Sequence, residues 1–449
     1  MLEQINRIVW GGPTLILILA AGLYLSVRSG LVQIRLFPKA FRVFISKFTR
    51  TDCHDGVSAK QALCTALAAT VGTGNLAGVA GAIAIGGPGA VFWMWISALG
   101  GMILKFAEAV LSVKFRTVNE NDEIVGGPMY MICNGLSKKW HWLAFVYCFF
   151  GVVAAFGVGN ATQINTLIGS INGVLEIWNI SPTTMGNALM GVGFAFLAGV
   201  MLFGGAGRIG RTAEKLVPLA AVFYIVISVG VLVLRADRIP GAFYAIIKGA
   251  FSPDAITGGI IGSAFRTLCV GVSRGVFTNE AGMGTAGIAH GAANVNHPVE
   301  QGLMGIMEVF LDTIVICTLT ALVILCSGVP IPYGADSGIS LTNHAFSSVY
   351  GEWVQIILTL AVCCFAFATI LGWGLYGARC AQFLFGTKAW LPFSVLQTVV
   401  VLISAVLKTE TVWQLAEIVN GLMAIPNLIA VLLLSPELFN LIRQYKQIC

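Results

Sequence analysis

Charge is what this chain has least of. Asp, Glu, Lys and Arg together make up 10% of its 449 residues, against 57% hydrophobic, and the mean hydropathy is +0.87. A soluble domain carries about 25% charged residues, so this composition excludes a soluble globular protein and leaves a polytopic membrane protein. The net charge of +6 comes from basic residues beside apolar segments, which is a topology signal and not a nucleic-acid footprint. No nucleic-acid partner is expected.

Other absences narrow the field further. The 11 cysteines include no C-x-x-C pair, and the 5 histidines do not cluster; the thiols read as small buried hydrophobes and not as a metal or redox site. His54, His141, His290, His297 and His344 are expected in loops and interfaces. There is no H-E-x-x-H, no G-x-S-x-G and no pair of catalytic carboxylates, so neither an enzyme nor a cofactor is expected. The apolar stretch from Pro13 to Val27 lacks the basic flank and small-residue cleavage site of a secretory signal, and is read as a transmembrane helix. Gly72-x-Gly74-x-x-Ala77 has the spacing of a dinucleotide fingerprint but no strand before it and no βαβ unit around it.

What is present is a pair of N-x-A-G tetrapeptides, Asn75 to Gly78 and Asn279 to Gly282, each inside an apolar stretch long enough for a membrane helix. Glycine costs about 1 kcal/mol against alanine inside a helix, and unwound backbone at membrane depth persists only where protein buries it or it lines a cavity. Matching interruptions in two halves of a chain point to a transporter with its substrate site near the bilayer midplane. Close helix packing is the simpler use of such glycines, and Gly74 with Gly78, or Gly282 with Ala286, would serve it. Packing does not call for the polar side chains of Thr73 and Asn75.

Apolar runs of suitable length predict eleven spans, at about 12–30, 60–86, 88–115, 141–168, 182–203, 209–234, 258–291, 298–326, 351–385, 389–407 and 411–434. With the N-terminus outside, eighteen Lys and Arg fall on the cytoplasmic side and five outside (Arg7, Arg235, Arg238, Lys248 and Lys408); the positive-inside rule selects N-out, C-in. Spans 2 to 6 and 7 to 11 then enter from opposite sides, giving two inverted sets of five. The chain divides into a peripheral first helix with a basic cytoplasmic loop (1–59), a first repeat (60–234), an external interfacial linker (235–257), a second inverted repeat (258–434) and a cytoplasmic tail (435–449). Segments 36–48 and 238–253 read as interfacial amphipathic pieces.

An interrupted helix frees N–H groups at the start of its second half and carbonyls at the end of its first. The N–H end suits a carboxylate and the carbonyls suit a hard cation. The amides of Thr73, Gly74 and Asn75 would take an amino acid's carboxylate, and the Ala69 and Gly72 carbonyls a sodium ion. The second interruption is placed at Gly275–Asn279, where carbonyls and the Thr278 hydroxyl would take the substrate ammonium. Gln163 is either a helix-to-helix hydrogen bond or a substrate contact. Ionisable residues inside spans are functional candidates: Arg274 is expected to bond Asp312 or Glu280 in a structural or gating network, with direct ion binding as the alternative. Glu280 and Glu308 are expected closer to the cytoplasm than Arg274 and Asp312, and Lys105 with Glu108, three residues apart, are expected to neutralise each other.

Seven ordered segments, AATVGTGNLAGVAGAIAIGGPGAVFWMW, KFAEAVLSVKFR, GGPMYMI, GNATQIN, SRGVFTNEAGMGTAGIAHGAA, FLDTIVICTLTALVI and ATILGWGLYG, closely resemble the alanine or glycine:cation symporters, the sodium:alanine symporter family, over nearly the whole chain. The resemblance implies an all-α, leucine-transporter-type core of five plus five inverted helices with one extra N-terminal helix. It implies sodium-coupled uptake of small neutral amino acids, alanine and possibly glycine or serine, across a plasma membrane, such as a bacterial inner membrane, with Na⁺ as the co-transported ion. Carried over by motif, Thr73, Gly74, Asn75, Gln163, Phe277, Thr278 and Trp373 would contact substrate, and the Trp373 and Phe277 rings would limit its side chain to about methyl size. The ion site would use Thr369. Two departures stand out: Ala368 replaces one of two adjacent hydroxyl residues, and Tyr376-Gly-Ala-Arg-Cys380 lacks the family's frequent acidic residue. A proton-coupled carrier titrating Glu280 or Asp312, and a passive pore, are the rival readings.

Overall fold

The computed structural model describes residue 9 and residues 13–49, 57–261, 263–335, 338–406 and 409–448. Arg7, Arg50, His54 and Lys408 lie outside the described residues. Among the described residues, apart from a two-stranded hairpin pairing Thr117–Val118 with Ile124–Val125, the regular structure is helical. Among the described residues seven helices are long and apolar enough to cross a membrane, and up to nine if each of two bent pairs forms one span.

The first broken helix begins on a capping box: Ser58 Oγ accepts from the Gln61 amide, and Gln61 Oε1 from that of Ser58. Its first half, Ala59–Thr70, ends at Val71, whose ψ of 91° is extended. A π-helical turn, Gly74–Gly78, then leads into Val79–Gly86, and the two halves meet at 50°. The second broken helix runs Ala264–Asn279 and Thr285–Gly291. Its interruption is not at Gly275–Asn279, which is helical, but just after it. Glu280 is left-handed at φ 54°, and Gly282 and Gly284 follow at φ 89° and 77°. Positive φ, which glycine tolerates and other residues seldom adopt, stops this helix; Gly275 keeps a helical backbone and lets the helix approach Met94 and Ser97 instead.

Both broken helices pack around Ala90–Lys114, which also packs on Pro298–Val309. Among the described residues two further segments are π-helical, Gly157–Ala161 and Phe310–Cys317; such bulges recur at functional sites. At one end of the bundle, helix Ile239–Phe251 lies across the start of Ala90–Lys114. There the Phe92, Trp93 and Phe251 rings meet at 5.3–5.9 Å, and Trp93 Nε1 donates to Ala250 O. Helix Gly338–Tyr350, absent from the expected elements, packs on the Gly74–Gly78 turn, where Thr342 Oγ1 donates to Leu76 O at 3.1 Å. Its buried Leu341, Thr342, Ala345 and Phe346 carry the period that would have revealed it.

The opposite end is open. A cavity of ≈ 520 Å³ is lined there by Gln61, Thr65, Arg211, Ile288, Leu375 and Arg379, among others. A parallel bridge between Val57 and Ala293 ties the start of the first broken helix to the end of the second.

Candidate functional site

The first interruption is held by side chains from three other helices. Thr369, in Val354–Phe385, places Oγ1 2.9 Å from Ala68 O and 3.0 Å from Phe365 O. A methyl at Gly72 would sit 2.6 Å from that oxygen and 3.5 Å from Gln163 Oε1. Thr73 Oγ1 donates to Gln163 Oε1 at 3.0 Å, while Gln163 Nε2 donates to Val158 O within the π-helical Gly157–Ala161. Gly72, Thr73, Gln163 and Thr369 thus converge beside the last turn of Ala59–Thr70, where Ala69 also lies. Asn75 acts as a clip: its Oδ1 accepts from Gly72 N at 2.9 Å and its Nδ2 donates to Asp312 Oδ1 at 2.7 Å. All of these side chains are buried.

The other face of the turn meets the second broken helix. A methyl on Gly74 would lie 3.0 Å from Thr278 Cγ2 and 4.0 Å from Phe277 Cδ1. The Thr278 hydroxyl lies 2.8 Å from Arg274 O and 2.9 Å from Gly275 O, so it is turned back onto its own helix and already engages a carbonyl expected to bind ammonium. Trp373 is wholly buried against Gly159, with its indole N–H donating to Glu280 Oε1 at 2.8 Å. Glu280 Oε2 accepts from Thr285 Oγ1 at 2.6 Å. These bonds hold the left-handed Glu280 and bind the second interruption to Val354–Phe385.

The charges pair differently from the sequence expectation. Lys105 does not neutralise Glu108: its Nζ is 2.8 Å from Glu308 Oε1, on the facing Pro298–Val309 helix. Glu308 Oε2 is 3.0 Å from His290 Nε2, and His290 Nδ1 meets Gln301. His290 is accordingly a buried core residue rather than a loop residue. Glu108 Oε1 instead accepts from Gly284 N and from Asn427 Nδ2, and Asn427 also donates to Gly282 O. Asn427, a buried amide in an apolar helix that also holds Asn420, carries in sequence the same signal as Asn75. The bonds to Asp312 come from Asn75 and Thr313, and those to Glu280 from Trp373 and Thr285. Arg274 is half-buried.

At the cavity mouth Arg379 Nη1 donates to Glu123 Oε2 at 2.7 Å, from the hairpin loop, and its guanidinium lies 5.3 Å from the Trp390 ring centroid. Partial burial would raise the Glu123 carboxyl; the bond and charge of Arg379, with a bond from Asn119, outweigh it and hold it below the usual carboxylate range.

Residues 1–448 match the sodium:alanine symporter family. The chain belongs to that family. Its members are sodium-coupled amino-acid symporters, not enzymes. The chain is 40% identical over 439 residues, covering 97% of itself and 94% of the relative, to the sodium/alanine symporter AgcS of Methanococcus maripaludis. It is 36% identical, covering 98% and 89%, to the probable sodium/glutamine symporter GlnT of Bacillus subtilis. Among solved structures it resembles MhsT in complex with L-phenylalanine, at a TM-score of 0.58 and 14% identity over 83% of this chain and 88% of that one. That likeness establishes the leucine-transporter fold. Within the family frame the position before Arg379 is Ala378; the acid that pairs with Arg379 is Glu123, from outside the helix.

Proposed function

We propose that this symporter imports small neutral amino acids, alanine first and glycine or serine beside it, with Na⁺ as the driving ion. The close approach of Gly72 to the Thr369 hydroxyl carries the reading. It puts a side-chain oxygen beside the last carbonyls of a helix that ends at mid-membrane, and such an oxygen-rich, compact corner suits a hard cation. The Ala69 and Gly72 carbonyls and Thr369 hold the ion. The Thr73, Gly74 and Asn75 amides take the carboxylate, the Asn75 N–H exchanging its 3.3 Å bond to Gly72 O for it, and Gln163 positions the turn through Thr73. Phe277, Thr278 and Trp373 wall off the side chain; Arg274, Glu280 and Asp312 hold the surrounding helices.

Eleven spans in a five-plus-five inverted arrangement, with the N-terminus outside, are supported by the two broken helices and by the distribution of Lys and Arg, with helix Gly338–Tyr350 lying between spans. In that orientation the ≈ 520 Å³ cavity faces the cytoplasm and the Phe92–Trp93–Phe251 cluster closes the outer end, an inward-facing state. A cavity open at one end supports alternating access over a passive pore. One Na⁺ moving down 100 mV provides about 2.3 kcal/mol, which at about 1.4 kcal/mol per tenfold supports an accumulation of about fifty-fold.

The test is uptake of labelled alanine into proteoliposomes with Na⁺, Li⁺ or K⁺ outside, at fixed pH and then across a pH gradient. Uptake that requires Na⁺ supports the reading; uptake driven equally well by protons in K⁺ would replace Na⁺ by a titrating carboxylate.

A further inference from the structure

The two N-x-A-G motifs, 204 residues apart in sequence, are joined by one hydrogen-bonded chain. Asn75 Nδ2 donates to Asp312 Oδ1 at 2.7 Å, Thr313 Oγ1 donates to Asp312 Oδ2 at 2.8 Å, and Asn279 Nδ2 donates to Thr313 Oγ1 at 3.1 Å. Each asparagine uses its remaining oxygen to fasten its own interruption: Asn75 Oδ1 accepts from Gly72 N, and Asn279 Oδ1 from Ala281 N at 3.0 Å. The four side chains are 0–1% exposed. Asp312 and Thr313 are consecutive, and they sit in the π-helical Phe310–Cys317 segment, whose wider turn is what lets neighbouring residues reach two different helices.

We propose that Asp312 and Thr313 are positioning residues that couple the ion half of the site to the amino-acid half, through the strap Asn75–Asp312–Thr313–Asn279. This rests on the site assignment above, in which Gly72 borders the ion and Thr278 the substrate. A shift of the Gly72 amide on ion binding moves Asn75. In a medium with no water to exchange for a lost bond, Asp312 and Thr313 follow. Asn279 then resets the Ala281 amide, two residues beyond the second helix end. The geometry uses Asp312 as a double acceptor. An amide at 312 would accept from Asn75 and donate to Thr313, whose oxygen also accepts from Asn279, so the strap survives loss of the charge but not loss of the polar group.

The experiment is alanine binding to the purified full chain, without Na⁺ and at saturating Na⁺. Site-to-site coupling of the usual size, about 5- to 150-fold, is expected for the unaltered protein. Thr313→Val and Asp312→Leu should reduce that ratio to below about twofold, whereas Thr313→Ser and Asp312→Asn should keep it. Thermal unfolding establishes that each variant is folded, and Asn279→Ala is the alternative cut if Thr313→Val does not fold. Wild-type coupling in Thr313→Val or Asp312→Leu overturns the strap. Equal loss in Asp312→Asn and Asp312→Leu overturns it in favour of the carboxylate charge itself binding the ion. Absence of any Na⁺ effect in the unaltered protein instead overturns the site assignment.

Discussion

Replacing Gly72 by alanine tests the ion site at its tightest point. Gly72 does not have a positive φ, so alanine imposes no backbone strain there, and the effect is one of space. The added methyl would lie 2.6 Å from Thr369 Oγ1, well inside van der Waals contact, and both partners are β-branched or backbone, so neither moves freely. Thr369 must rotate away from Ala68 O, and the oxygen offered to the ion goes with it. Overpacking of this kind costs about 1–3 kcal/mol, and at about 1.4 kcal/mol per tenfold this corresponds to a rise of roughly 5- to 140-fold in the Na⁺ concentration for half-maximal uptake. The measurement is alanine uptake into proteoliposomes over a range of external Na⁺. Thr369→Val, which deletes the hydroxyl and keeps the shape, should raise the same parameter. Residues in contact do not act independently, so Gly72→Ala should cost little more in a Thr369→Ala background, where the clash is gone. A Gly72→Ala protein with unaltered sodium dependence would refute the placement of the ion beside Thr369.

Trp373→Ala should shift preference toward valine or leucine by about tenfold to a hundredfold, because a pocket contact of one or two methylenes is worth about 1–3 kcal/mol, while Trp373→Phe keeps the bulk, loses the bond to Glu280 and should retain alanine selectivity at lower thermal stability. Competition assays decide this; equal losses for alanine and leucine in Trp373→Ala assign the ring to packing alone. Lys105→Met leaves the buried Glu308 carboxylate with His290 as its remaining partner and should destabilise the protein by about 3 kcal/mol, with Lys105→Met/Glu308→Leu recovering most of the loss in thermal unfolding. Glu123 has a lowered carboxyl pKa, so its link to Arg379 is intact at neutral pH and is lost only as pH falls through that lowered value. In a Thr65→Cys background Glu123→Gln should therefore accelerate thiol labelling through the cavity at neutral pH and match the protein with Glu123 in acid, and a neutral-pH rate equal to that protein's would remove the pair from the cavity mouth.

Hydropathy, loop charge and the two glycine-rich asparagine motifs are local in the chain, and they were sufficient for the membrane class, for the approximate helix positions and for the first interruption at Gly72 and Thr73. The family likeness was also legible there, because its motifs are contiguous. The second interruption falls just after the expected Gly275–Asn279, since Gly275 and Gly282 look alike in sequence. Only the backbone distinguishes a glycine that admits a neighbouring helix from one that adopts positive φ. Partner choice among buried charges was beyond the sequence for a related reason. Lys105 has Glu108 within reach on its own helix, yet Glu308 faces it from another at 2.8 Å, and in a low-dielectric interior the pairing follows packing and the remaining hydrogen bonds. Residue types and spacing determined that this chain crosses a membrane and is interrupted twice within it. The strap between Asn75 and Asn279, and the anchoring of Glu280 by Trp373, were decided by tertiary structure alone, because hydrogen bonds a few ångströms long join residues that only the packed bundle brings together.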